Sequence, residues 1–110
     1  MATQDLSALQ QNIDEVVTSW PEVKARSVFG HRGYVRGGKM FGFLALGGVS
    51  VKAAGPAHAD ELYARDGVVA FTYNGMPMRG WPVLPLRGDA DLDDAVAEMR
   101  RAYEAAAGTV

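Results

Sequence analysis

Apolar and polar residues alternate along this chain with two different periods, and each period predicts one kind of element. A helical period runs from about Thr3 to Ser19 and again from about Asp91 to Ala107, and Gly55-Pro56 should open a shorter helix. Strand-favouring runs lie between the helices, separated by three hairpin dipeptides: Gly37-Gly38, Gly47-Gly48 and Asn74-Gly75. The predicted order is one helix, four strands, one helix, two strands and one helix.

Hairpins dominate this order and no strand-helix-strand alternation appears, so the sheet should be antiparallel. Three amphipathic helices on one face of five to six strands give a two-layer α+β sandwich, formed by residues 1–110 as a single domain. The other face would be open to water or to a partner. The return strand from Met76 to Leu84 contains Pro77 and Pro82, which cannot donate to a ladder, so we expect it at an edge.

The segment from Arg32 to Lys52 should form a three-stranded meander with two unlike faces. If both Gly-Gly pairs are two-residue loops, one face is apolar and the other mixes cations with aromatic rings. The apolar face comprises Val35, Met40, Gly42, Leu44, Leu46, Val49 and Val51. The mixed face comprises Arg32, Tyr34, Arg36, Lys39, Phe41, Phe43, Ser50 and Lys52. A one-residue slip would exchange the faces and bury Arg36 and Lys39, at roughly several kcal/mol for each unpaired charge.

Charge is distributed unevenly along the chain. The net charge is -2, yet six Lys or Arg and no Asp or Glu occur from Val23 to Ala59. This asymmetry can create a positive face, although strand edges also carry cations simply as protection against aggregation. There are no cysteines, which excludes disulfides and thiolate chemistry, and no apolar run is long enough for a membrane span. We therefore expect a cytoplasmic protein without membrane contact.

The mixed face is the candidate partner surface, and three interpretations of it compete. In the first, its aromatic residues form the centre of a homodimer or of an interface with another protein, where aromatics and Arg are enriched. In the second, Tyr34, Phe41 and Phe43 stack on nucleic-acid bases while the cations contact phosphates. In the third, the domain's own loops cover the rings and the cations are merely solvated. We rank the protein interface first and the nucleic acid second.

Candidate catalytic and metal-binding residues are few. His31 and His58 have no ligand-spaced partners, and His58 is expected at the surface. Gly30-His31-Arg32-Gly33 resembles a KH-domain clamp, but it lies between predicted strands. The aspartates from Asp89 to Asp94 lack EF-hand spacing and suit a helix N-terminus. We therefore predict no metal, no cofactor and no enzymatic activity; an enzyme with an unflagged pocket is the minor alternative.

Several short motifs resemble the TfoX (Sxy) N-terminal domain, and more weakly the YjbR (MmcQ) family. They are Val28-Phe29-Gly30, Gly33-Tyr34, Gly38-Lys39-Met40-Phe41, Val51-Lys52-Ala53, Phe71-Thr72-Tyr73-Asn74-Gly75 and Arg100-Arg101-Ala102-Tyr103-Glu104-Ala105. The resemblance spans nearly the whole chain. It implies a fold like that of type III secretion chaperones. It also implies a regulatory role, connected with competence genes and the transcription machinery, and it supplies no catalytic residues.

Overall fold

The computed structural model describes residues 7–28, 30–45 and 47–107, which form three helices and six strands in a single antiparallel sheet. The helices are α1 (Ala8–Thr18), α2 (Pro56–Tyr63) and α3 (Asp89–Ala107). The strands are β1 (Val23–Val28), β2 (His31–Arg36), β3 (Lys39–Ala45), β4 (Gly48–Val51), β5 (Val69–Tyr73) and β6 (Met76–Pro85). The prediction of an α+β domain with an antiparallel sheet and three helices is confirmed.

Local signals determine where α1 begins. Ser7 is its N-cap and forms a capping box with Gln10, in which each side chain accepts a hydrogen bond from the other residue's backbone N–H. The helix therefore begins at Ala8, whereas the helical period predicts its start at about Thr3, a residue that lies outside the described part of the chain. The Gln10 side chain also donates to the carbonyl of Gly48 at 3.0 Å, which ties α1 to the sheet.

The helices pack on one face of the sheet and enclose the larger of two apolar clusters. Ile13 and Val17 of α1, Leu62 of α2 and Met99 of α3 meet strand residues there, and all four are fully buried. Close packing depends on Gly42, because a Cβ at that position would collide with Met99 Sδ.

The strand order is β1-β2-β3-β4-β6-β5, so the prediction that β6 is an edge strand is wrong. Its C-terminal part pairs with both neighbours, since Val83 lies opposite Ser50 of β4 and opposite Val69 of β5. Pro82 is accommodated by irregular pairing, because it lies opposite Ala70, directly beside a break in the β5–β6 register. The true edges are β1 and β5.

The Gly37-Gly38 loop has two residues as predicted, but the register then changes inside the hairpin. Arg36 lies opposite Lys39, whereas Tyr34 lies opposite Gly42 rather than Phe41. This bulge places Phe41 as one extra residue in β3, so the side-chain alternation beyond it is reversed relative to β2. In the second hairpin Gly48 already belongs to β4 and lies opposite Ala45, so the predicted Gly47-Gly48 loop is wrong. Phe43 lies opposite Ser50 rather than Lys52, and this register shift of two residues leaves the faces unchanged.

The sheet is strongly curled. The ring centroids of His31 on β2 and Phe71 on β5 are 5.7 Å apart, although three strands lie between them in the sheet order. Four strand spacings in a flat sheet would separate them by roughly 19 Å. The face turned away from the helices therefore closes over a second cluster, formed by Phe43, Ala45, Phe71 and Val83 with Met40, Met78 and Trp81. The expectation that this face is open is wrong at its centre.

Candidate functional site

The predicted mixed face is divided by the bulge, and its β2 members point toward the helices. The Tyr34 hydroxyl donates to Asp14 Oδ1 of α1 at 2.6 Å, and Arg32 Nε pairs with the same oxygen. Burial, together with the hydrogen bond to Asp14, raises the pKa of the Tyr34 phenol far above its usual range. The hydrogen bond from Arg32 to Asp14 likewise raises the pKa of the Arg32 guanidinium. Asp14 was not recognised in the sequence as the partner of either residue.

Arg36 also has its contacts within the domain. Its Nη1 donates to the carbonyl of Tyr103 at 3.2 Å, its Nε pairs with Glu22 at 3.3 Å, and its guanidinium lies 3.9 Å from the centre of the Tyr103 ring. The several kcal/mol expected for burying Arg36 apply to an unpaired charge, whereas here the guanidinium is paired with Glu22.

The three aromatic rings of the predicted face are covered. Tyr34 and Phe41 lie in the helix-side cluster, and Phe41 meets the Tyr103 ring edge-on at 5.6 Å. Phe43 lies in the second cluster, 4.8 Å from Phe71. All three are at most 1% exposed. The prediction that these rings lie on an open face is therefore wrong, and in this structure none of them presents a face on which a base could stack.

Lys39 and Lys52 are exposed cations of the predicted face, and they line the same pocket of about 580 Å³. Arg32 is exposed as well, but it is paired with Asp14. Within the described part of the chain, neither lysine has a carboxylate oxygen within 4 Å. Apolar side chains form the remaining walls: Met40, Phe41, Ala53, Ala54, Trp81, Ala102, Ala105 and Ala106. The pocket thus combines apolar walls with two positive charges.

His58 is buried, so its predicted surface position is wrong. Its Nδ1 accepts a hydrogen bond from the backbone N–H of Ala54 at 2.9 Å, which places the ring proton on Nε2. Nε2 therefore donates to Glu98 Oε1 at 3.0 Å, and Arg65 donates to the other Glu98 oxygen at 2.9 Å. Both ring nitrogens are engaged, and the network joins the loop before α2 to the middle of α3.

The β5–β6 hairpin presents apolar side chains to solvent. Its Asn74-Gly75 turn has positive φ at both residues, as the dipeptide predicts. Val69 is 55% exposed, Tyr73 is 44% exposed and Met76 is 67% exposed. No charged residue occurs from Val68 to Met78. This surface was not singled out in the sequence, although the uncharged run was visible there.

The remaining candidates have structural explanations. The His31 ring stacks on Phe43 at 6.1 Å, and the segment resembling a KH clamp lies in the β1–β2 hairpin. Asp91 accepts hydrogen bonds from the backbone and side chain of Arg87, which lower the pKa of its carboxyl group. Among residues 7–28, 30–45 and 47–107, no three His, Asp or Glu side chains are grouped to hold a metal ion. None of the described helices has the length and apolar character required to cross a bilayer.

Comparison of the chain with protein-family models, with curated proteins and with solved structures finds no match. The functional argument therefore depends on the surfaces described above.

Proposed function

We propose that this protein is a non-catalytic domain that acts through protein–protein contacts in a regulatory role, and that its first partner is a second copy of itself. The role is the one that its motifs, through their resemblance to the TfoX N-terminal domain, imply. The observation that carries the proposal is the edge strand β5, which is uncharged and exposes Val69 and Tyr73.

The two edges of the sheet differ in their protection. Edge strands of monomeric proteins are usually blunted by charged side chains, because their backbone groups are a template for pairing with another chain. β1 follows this rule, since Lys24 and Arg26 are exposed along it. β5 does not, and its only described neighbour in the sheet is β6. This contrast favours β5 as the edge that joins two copies.

A two-fold axis at Phe71 gives β5 a self-complementary register. Antiparallel pairing around that axis places Val69 of one copy opposite Tyr73 of the other, and Ala70 opposite Thr72. Val69 and Tyr73 share one face of the strand because side chains alternate with a period of two. Aromatic and β-branched residues are favourable cross-strand partners, and this pair occurs twice in the dimer. The small contact area predicts a weak dimer, with a Kd in the micromolar range.

Sedimentation equilibrium over a wide concentration range tests the proposal. The wild type should dimerise reversibly, whereas Val69→Lys combined with Tyr73→Lys should stay monomeric, because it places two lysines opposite each other at both ends of the pairing. Val16→Lys is the matched control, since Val16 is an exposed apolar residue on α1 and its substitution should leave dimerisation intact. A wild type that is monomeric at high concentration, or a double variant that dimerises normally, would refute the β5 interface.

Nucleic-acid binding is the second candidate, and it now depends on cations alone. Lys24, Arg26, Lys39 and Lys52 lie in the described sheet region with no carboxylate oxygen within 4 Å. Such cations could contact phosphates without reading sequence, so binding would be weak and would fall steeply with salt. Titration of labelled single- and double-stranded DNA at low and moderate salt separates the two functions. A salt-sensitive complex formed by the monomeric β5 variant would favour this second candidate.

A further inference from the structure

The pocket between the start of β3 and the end of α3 combines two cations with apolar walls, and neither the fold nor the proposed dimer uses it. We propose that this pocket binds a small organic anion with an apolar body, such as a medium-chain carboxylate. The anionic group would lie between Lys39 and Lys52, and the body would lie against Trp81, Met40 and the last turns of α3.

The pocket exists because β4 separates from β3 early. Their pairing ends at Gly42–Val51, and the hydrogen bond from the Lys52 N–H to the Phe41 carbonyl is the last link before the chain turns toward α2. α3 does not fill the resulting space, since Ala102, Ala105 and Ala106 project no further than Cβ. The volume of about 580 Å³ lies within the range of pockets that hold small molecules.

The charges in the pocket favour an anion. Arg32 and Arg36 are neutralised by Asp14 and Glu22, whereas Lys39 and Lys52 have no such partner within 4 Å among the described residues. Two ammonium groups on one pocket repel each other, and an anionic group placed between them removes that repulsion. No Asp or Glu occurs from Val23 to Ala59, so the strands and loop that carry the two lysines supply no counter-charge of their own.

The shape of the pocket favours a small molecule over a peptide strand. The part of β3 that β4 leaves uncovered extends only from Lys39 to Phe41, whereas a typical strand has about five or six residues. The Trp81 ring is only partly buried, and it offers an apolar wall that a peptide backbone would not match. An aliphatic or aromatic body on one anionic group satisfies both parts of the pocket.

Binding of dodecanoate, kept below its micelle concentration, tests the proposal. Dodecyltrimethylammonium has the same tail with the opposite charge, and acetate has the carboxylate without the tail. Of the three compounds, only dodecanoate should show saturable binding, measured as a change in tryptophan fluorescence. The change should be lost in Trp81→Phe, in which Trp20 is the one remaining tryptophan. Amide shifts in two-dimensional NMR should cluster around the residues that line the pocket.

Charge variants locate the site and decide the outcome. Lys39→Ala with Lys52→Ala should weaken dodecanoate binding about tenfold or more, whereas Lys24→Ala with Arg26→Ala removes the same charge from β1 and should leave binding unchanged. Lys39→Glu with Lys52→Glu should transfer the preference to dodecyltrimethylammonium, a gain that misfolding would not produce. The absence of dodecanoate binding, equal binding of both surfactants, or equal losses in the two alanine pairs would overturn the proposal.

Discussion

Removing the Glu98 carboxylate should be among the most damaging single changes outside the apolar clusters. Glu98 is 7% exposed and accepts one hydrogen bond from His58 and one from Arg65. In Glu98→Ala the His58 N–H keeps its buried position without an acceptor, at a cost of about 1–3 kcal/mol, and two hydrogen bonds to a charged group are lost. Arg65 retains its pair with Asp94, so its loss is smaller.

The expected total for Glu98→Ala is about 2–4 kcal/mol, from the unsatisfied His58 N–H together with the lost hydrogen bonds to a charged group. A small domain has only about 5–15 kcal/mol of stability, so this change is severe. Glu98→Gln keeps an acceptor for His58 and should cost less. Asp94→Ala is the matched comparison, because it removes the exposed carboxylate that pairs with the same arginine, Arg65, and should cost at most about 1 kcal/mol. Urea unfolding followed by circular dichroism provides each free energy of unfolding.

A double-mutant cycle shows whether the network acts as proposed. His58→Ala and Glu98→Ala should be coupled by about 1 kcal/mol or more, because each removes the same hydrogen bond. A coupling energy near zero, or a loss in Glu98→Ala no larger than in Asp94→Ala, would refute the view that the carboxylate holds His58. The neutral ring with its proton on Nε2 should also be visible in the nitrogen shifts of the imidazole.

Two further stability predictions follow from the sheet. Gly48→Ala should cost about 1–3 kcal/mol, because the added Cβ would collide with the carbonyl of Leu84. In Gly88→Ala the Cβ meets nothing within 4 Å, so the free energy of unfolding in urea should stay within about 0.5 kcal/mol of the wild type. Equal losses in the two variants would contradict this reasoning. Because the pKa of Tyr34 is raised in the folded protein, the unfolded chain loses its phenol proton first. The stability that the protonated phenol contributes is therefore fully present below about pH 10, and the free energy of unfolding falls by about 1.4 kcal/mol per pH unit above it. Tyr34→Phe should lose that part of the alkaline slope in unfolding experiments between about pH 9 and about pH 11, and an unchanged slope would exclude Tyr34 as its origin.

The elements of this fold could be predicted because their signals are local. The helical periods, Pro56 at the start of α2 and the Asn74-Gly75 turn each depend on residues within one or two turns of chain. The bulge at Phe41 has no such local signal, because it accompanies the packing of the Phe41 ring against Tyr103 of α3, which is distant in sequence. The position of β6 inside the sheet was predicted wrongly because each proline removes only its own backbone N–H from the ladder. The other residues of the strand can still pair on both sides.

The candidate site was harder to predict because its partners are distant in sequence. Asp14 meets Tyr34 across 20 residues, and Glu98 meets His58 across 40. A carboxylate that will neutralise a buried group is not distinguishable in the sequence from one that will be solvated. The mixed face was predicted as one surface, yet whether each of its cations would meet a carboxylate or solvent depended on the tertiary fold.

The division of the four cations follows from the chemistry of their head groups. Arg32 is exposed and pairs with a carboxylate of α1. The planar guanidinium of Arg36 pairs with a carboxylate, donates to the carbonyl of Tyr103 and stacks on the ring of the same residue. Lys39 and Lys52 carry compact, strongly hydrated ammonium groups, and they remain at the surface. Both arginines thus have a carboxylate partner, whereas neither lysine has a carboxylate oxygen within 4 Å among the described residues. The anion that we propose would therefore lie at Lys39 and Lys52, whereas the aromatic rings of the predicted face are buried.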